Sequence, residues 1–217
     1  MTSRADAKER TRTRLVEAAR ETVREQGAAA LSLRDVARRA GVVPSAVYKH
    51  VDSRDALLTT LIVESYAALA EHLESVAERD GAGWSASADG LRDWALSRRH
   101  EFYLLYGTPV PGYAAPQETV PLAARIVAVF LAAAPDARIG TEGEERAIEA
   151  SPLHRQLAPS AADLGVSPAR LASVLADLAQ LIGLLLLELG GHFVGTADPA
   201  DHLWRRVVDA QCGDEES

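Results

Sequence analysis

Cysteine is nearly absent from this chain. The single one among 217 residues is Cys212, close to a polar tail, so no intrachain disulfide can form and a disulfide-stapled scaffold is excluded. No run of 18 uninterrupted apolar residues occurs. The richest stretch, Leu178 to Leu189, is broken by Gln180 and Glu188, so no membrane span is expected. The opening "MTSRADAKERTRTR" has no apolar core, so no secretory leader is expected and the chain reads as cytoplasmic. There is no Gly-x-Ser-x-Gly elbow, no phosphate-cradling glycine loop, no His-Glu-x-x-His and no Cys-x-x-Cys, which argues against an enzyme, a cofactor or a metal. His192 and His202 fall at a loop and a helix start with no cysteine nearby and read as solvated or capping. Glu144 and Glu145 read as a solvated pair in a loop. Alternating β patterns and internal repeats are also missing.

The net charge of −8 argues against a nucleic-acid partner if it is spread evenly, but it is not. Residues 1–55 hold 12 Lys/Arg against 8 Asp/Glu, whereas the rest hold 11 against 23. A basic front on an acidic body is expected when one part meets phosphate and the other does not.

The apolar periodicity is helical throughout. A first helix is expected from about Lys8 to Gln26, with Leu15, Ala18, Ala19, Thr22 and Val23 at helical spacing and Gly27 as its stop. A second opens at Ser32, which can cap the Asp35 amide while Asp35 reaches back, and ends at Gly41. A third runs from Pro44 to His50, and a long fourth, N-capped by Ser53, from Arg54 to Arg79. "DGAGWSAS" reads as a loop. Further helices are expected over Ala86–Tyr106, Gln117–Ala134, an irregular Glu144–Ala158, Ser167–Leu189 and Pro199–Gln211, with "APDARIGTEGEE" as a mobile loop. The fold class is all-α.

Two short helices separated by "AGVV" match a helix-turn-helix, in which the second helix enters the major groove while the first crosses the backbone. Val36, Ala37 and Val47 can share a small core with the first helix. Pro44, Ser45, Ala46, Tyr48, Lys49 and His50 are then left facing outward. With these residues in view, "TRTRLVEAARETVREQGAAALSLRDVARRAGVVPSAVYKHVDSRDALL" resembles the DNA-binding domain of the TetR family of transcriptional regulators. The resemblance implies phosphate contacts from Tyr48, His50 and Arg54, and a backbone approach at Ser32. It also implies that Arg34 reaches a base edge, where arginine can pair bidentately with guanine. Pro44, Ser45 and Ala46 lead the recognition helix, and Lys49 can serve phosphate or base. Arg38 and Arg39 read as general electrostatics.

Residues 92–113, "RDWALSRRHEFYLLYGTPVPGY", resemble a C-terminal domain of one TetR branch, with Trp94, His100 and Gly107 at its Trp, His and Gly positions. The implied division is a helix-turn-helix domain over 1–53 and a helical effector-binding and dimerisation domain over 54–217. Tyr66, Trp94, Phe102, Tyr103, Tyr106 and Tyr113 are candidate lining for a small-molecule pocket in a chain only 5% aromatic. Along Ser167–Leu189, Leu171, Val174, Leu175, Leu178, Ile182, Leu185 and Leu189 form a broad apolar face. Ala172, Ala176, Ala179 and Gly183 make a strip of small residues beside it. That strip, with Leu203, Trp204 and Val207, is the candidate dimer surface, since family members pair through their last two long helices. The expected partners are a palindromic double-stranded DNA operator, a second copy and an unidentified effector, with no membrane. The expected activity is that of a ligand-responsive repressor. The rival is a TetR-like adaptor that binds proteins and has no effector.

Overall fold

The structure is a computed structural model, and it describes residues 4–80, 83–135 and 142–213. Among these residues all regular structure is helical and no strand occurs. The helices are α1 (Arg4–Gln26), α2 (Leu33–Arg39), α3 (Pro44–Val47), α4 (Arg54–Asp80), α5 (Trp84–Ser97), α6 (Arg99–Tyr106), α7 (Val120–Ala133), α8 (Glu142–Glu149), α9 (Pro152–Leu164), α10 (Pro168–Leu189) and α11 (Asp201–Cys212). The chain divides into two compact units. One comprises residues 1–68 and 98–122, the other residues 69–97 and 123–217.

The first unit is built on one apolar cluster. Leu15, Ala19 and Val23 of α1 pack with Val36 and Ala37 of α2, Val47 of α3, and Leu57, Leu58 and Leu61 of α4. Side chains spaced three and four apart on α1 and α4 supply the walls. The short α2 and α3 offer only two and one fully buried residues, so they hold their shape through that shared core rather than through their own propensity. Gly41, with φ +65°, makes the turn after α2, and the Val42 amide donates back to the Ala37 carbonyl at 2.9 Å. A residue with a β-carbon would be strained in that left-handed conformation.

In the second unit α10 carries the core. Leu171, Val174, Leu178, Leu181, Leu185 and Leu189 recur at spacings of three or four and are all buried. Ser167 caps its start, accepting from the Arg170 amide at 3.1 Å, with Pro168 in the first turn. Side-chain pairs tie the other helices on. Arg92 of α5 donates to both Glu188 oxygens at 2.7 and 3.1 Å and to Asp201 of α11 at 3.0 Å, with its guanidinium over the Trp204 ring. The Trp84 indole donates to Gln211, and Gln211 donates to Gln180 and to the Asp177 carbonyl.

Several expected boundaries move. The Pro44–His50 helix is α3 plus a tight turn, in which the Lys49 and His50 amides bond carbonyls three residues back. The single helix expected over Ala86–Tyr106 is two, α5 and α6, broken at Arg98, whose φ of −126° and ψ of 48° lie outside the helical basin. Trp84 to Ser87, expected in a loop, open α5 because Trp84 is pinned in the core. Glu144–Ala158 is two helices, α8 and α9, so Glu145 is helical rather than in a loop. The segment 136–141 of the expected mobile loop lies outside the described residues. By length and composition alone α10 is apolar enough to cross a membrane, with a mean hydropathy of 1.8 over an 18-residue window, but its leucine seam is packed in the core of the second unit. Gln180 and Glu188 interrupt the apolar run without offsetting its many leucines, and the buried leucine seam gives those residues a place in the core.

Candidate nucleic-acid interface

The first unit presents α2 and α3 as a helix-turn-helix. Ser32 starts α2 by accepting from the Asp35 amide at 3.2 Å, as expected. The second half of the exchange differs: the Ser32 hydroxyl donates to the Asp35 carboxylate at 2.8 Å. That bond, then the one from Arg38, holds the Asp35 carboxyl below the ordinary carboxylate range. Arg34 stands exposed beside Asp35 and makes no hydrogen bond among the described residues. Arg38 and Arg39 are engaged with Asp35 and Glu25.

On α3 the division between inner and outer sides is sharp. Val47 is 1% exposed, and the next residue, Tyr48, is 65% exposed. Pro44, Ser45 and Lys49 are exposed, and Ala46 is half-buried. A core valine followed by an exposed tyrosine puts the phenol on the solvent side of the turn. His50 is half-buried, and its Nδ1 is buried without a hydrogen-bond partner.

Arg54 is placed differently from what phosphate binding alone requires. Its Nε donates to the Leu31 carbonyl at 2.9 Å, and one Nη reaches the Ala28 and Ala29 carbonyls at 3.5 Å. The other Nη sits 3.4 Å from Asp55. The guanidinium therefore clamps the start of α4 to the connection between α1 and α2. This role was not legible locally, because the carbonyls it holds lie 23 to 26 residues away.

Five of the six candidate pocket aromatics belong to the first unit. Tyr106 meets Phe102 at 5.1 Å and Tyr66 edge-on at 6.3 Å between ring centroids, and the Tyr113 and Thr59 hydroxyls are 3.0 Å apart. Burial pushes the Tyr66 phenol above the ordinary tyrosine range and the more deeply buried Tyr106 phenol well above it. Phe102 is fully buried. Trp94 lies on α5 of the second unit and is buried there. A groove of about 480 Å³ lies beside the end of α1, lined by Val23, Ala28 and Ala29 together with Tyr103, Leu104 and Val110.

Along α10 the small-residue strip is uncovered. Ala176 and Ala179 are exposed and Ala172 and Gly183 half-buried, and a β-carbon at Gly183 would meet nothing within 4 Å. On α11, Leu203 and Val207 are half-buried. Trp204 is a correction. It is 2% exposed, with its indole donating to Asp89 at 2.8 Å, so it belongs to the core of its own chain and to no surface.

These features define an all-helical DNA-binding regulator with a helix-turn-helix head. Residues 15–61 match the family described as bacterial regulatory proteins, tetR family, and residues 84–211 match the tetracyclin repressor-like C-terminal domain. The chain belongs to the TetR family of transcriptional regulators. It is 44% identical over 133 residues to HTH-type transcriptional regulators of Mycobacterium bovis and Mycobacterium tuberculosis, covering 58% of this chain. The match spans 57% of the length of those regulators. Among solved structures it resembles SCO4313, described as a regulatory protein, at 31% identity and a TM-score of 0.79, covering 98% of this chain and 100% of that one. A Rhodococcus sp. RHA1 protein of unknown function shares the fold at 24% identity and a TM-score of 0.66, with 94% of each chain covered.

Proposed function

We propose that the protein is a cytoplasmic, ligand-responsive repressor that binds a palindromic operator as a homodimer. Residues 1–53 carry the DNA contact, and residues 54–217 carry sensing and pairing. The observation that bears most weight is the exposure of Tyr48 and Lys49 directly after the buried Val47. It leaves the outer side of α3 free to enter a groove while the core holds the inner side. Tyr48 and His50 bind phosphate and Lys49 serves phosphate or base, with the amides near Ser32 approaching the backbone and Arg54 adding charge from its clamp. Arg34 reads a base, and Pro44, Ser45 and Ala46 allow close approach to thymine methyls.

Pairing is supported by α10, whose apolar 18-residue window is only 33% buried within the chain. The rest of that surface, with the Ala172, Ala176, Ala179 and Gly183 strip and with Leu203 and Val207, suits a close helix–helix contact with a second copy. Two-fold symmetry would then present two α3 segments to two half-sites. The effector site is assigned to the Tyr66, Phe102, Tyr103, Tyr106 and Tyr113 group, apolar with phenolic tips. An effector that prefers a form with its heads differently spaced would weaken operator binding, typically by about 5–150-fold.

Sedimentation at micromolar protein, together with mobility shifts on fragments flanking its own gene, tests this reading. A dimer that shifts one fragment is expected. A monomer refutes the pairing, and failure with every flanking fragment favours the adaptor.

A further inference from the structure

The cations of α1 and the end of α2 differ in whether they are paired. Arg20, Arg24 and Arg39 are tied to Glu64, Glu21 and Glu25. Lys8, Arg10, Arg12 and Arg14, on the first turns of α1, are exposed and form no ion pair among the described residues. Even Glu9, three positions before Arg12, makes none with it. Residues four apart on a helix share a side. Lys8 and Arg12 therefore lie together, and Arg10 and Arg14 lie together roughly opposite them.

The two sides meet different neighbours. Arg12 shares a small concavity, about 160 Å³, with His50, Val51, Asp52 and Thr60. It stands beside the residue that closes the recognition segment, whose Nδ1 is buried and unpartnered. Arg14 lies instead beside Arg39 and Ala40, at the far end of α2.

We propose that Lys8 and Arg12 form, with His50, a second phosphate-binding edge that grips the DNA backbone next to the segment met by α3. The proposal rests on the DNA-binding reading of the helix-turn-helix. Four residues of helix span about 6 Å, and one strand of a duplex presents a phosphate about every 3.4 Å of its axis. Lys8 and Arg12 can thus meet separate phosphates of one strand. Asp52 is the carboxylate lining the same concavity. It opposes an anion there, so Asp52→Asn should tighten binding. Such contacts fix position rather than sequence, so their signature is the salt dependence of affinity.

The test uses the full chain and a fluorescein-labelled random-sequence duplex, with affinity followed by anisotropy from about 50 to 200 mM salt. Lys8→Gln/Arg12→Gln is compared with Arg10→Gln/Arg14→Gln, which removes the same charge from the same helix. The first pair should flatten the slope of log K against log salt by about 2, roughly 1 per lost phosphate contact, and the second should leave it unchanged. Equal losses in both pairs would show a diffuse field and overturn the proposal, as would no loss in the first. Failure of the unaltered protein to bind any duplex would instead sink the DNA-binding reading. If the first pair also lowers the melting temperature, Arg12→Lys, which keeps the charge, must restore the slope in the presence of Lys8.

Discussion

Arg92 in the second unit and Arg34 in the first stand in contrasting settings. In the second, Arg92 is satisfied by Glu188, Asp201 and the face of Trp204, and its side chain is 13% exposed. In the first, Arg34 and the cations at the start of α1 stand in solvent without carboxylate partners among the described residues. Paired charge in a packed setting holds helices together, whereas unpaired surface charge adds little to stability and remains available to phosphate. The first unit therefore keeps exposed cations for a polyanion beside paired ones such as Arg20, Arg39 and Arg54.

Replacing Trp204 with alanine should give the largest effect. The loss of a buried tryptophan typically costs about 3–5 kcal/mol. A denaturant melt should show it as destabilisation that does not depend on protein concentration. Dissociation of a dimer with unchanged subunit stability would return Trp204 to a surface role.

Arg34→Ala should act on the other side of the comparison. Melting should be unchanged, and discrimination at one operator position should fall by about 1–3 kcal/mol, read from competition between single-base variants. A uniform loss on all duplexes would make Arg34 a phosphate contact instead.

The smallest effect is one of pH. Hydrogen bonds from Arg125, at 2.6 and 2.9 Å, hold the Glu74 carboxyl below the ordinary glutamate range. A carboxyl lowered on folding adds stability at pH values above the unfolded range, and that stability is lost as pH falls through the folded value. Arg125→Met should flatten the acid limb of a stability–pH curve, and an unchanged limb would show the pair to be idle.

Much of the helical order was legible because 3.6-residue periodicity and caps such as Ser32 and Ser167 are local signals. The exposure of Pro44, Ser45, Tyr48 and Lys49 was legible for the same reason, once Val47 was assigned to the core, whereas Ala46 and His50 of the expected outward set are half-buried. The break at Arg98 was not, because residues 86–106 carry helical residues throughout and no glycine or proline marks the boundary except Gly90 within α5. The clamp made by Arg54 and the burial of Trp204 escaped local reading for one reason. Each residue was judged by its neighbours in sequence, and each is held by partners on distant segments.

The amino-acid order alone determined the all-helical class, the two short helices with a turn between them, and the basic front on an acidic body. Each follows from spacing and composition over a few turns. Tertiary structure alone decided which arginines are occupied, which apolar stripe of α10 is already covered, and that Arg12 stands beside His50. Burial and ion pairing depend on which distant helix arrives at a residue, and local periodicity does not carry that information.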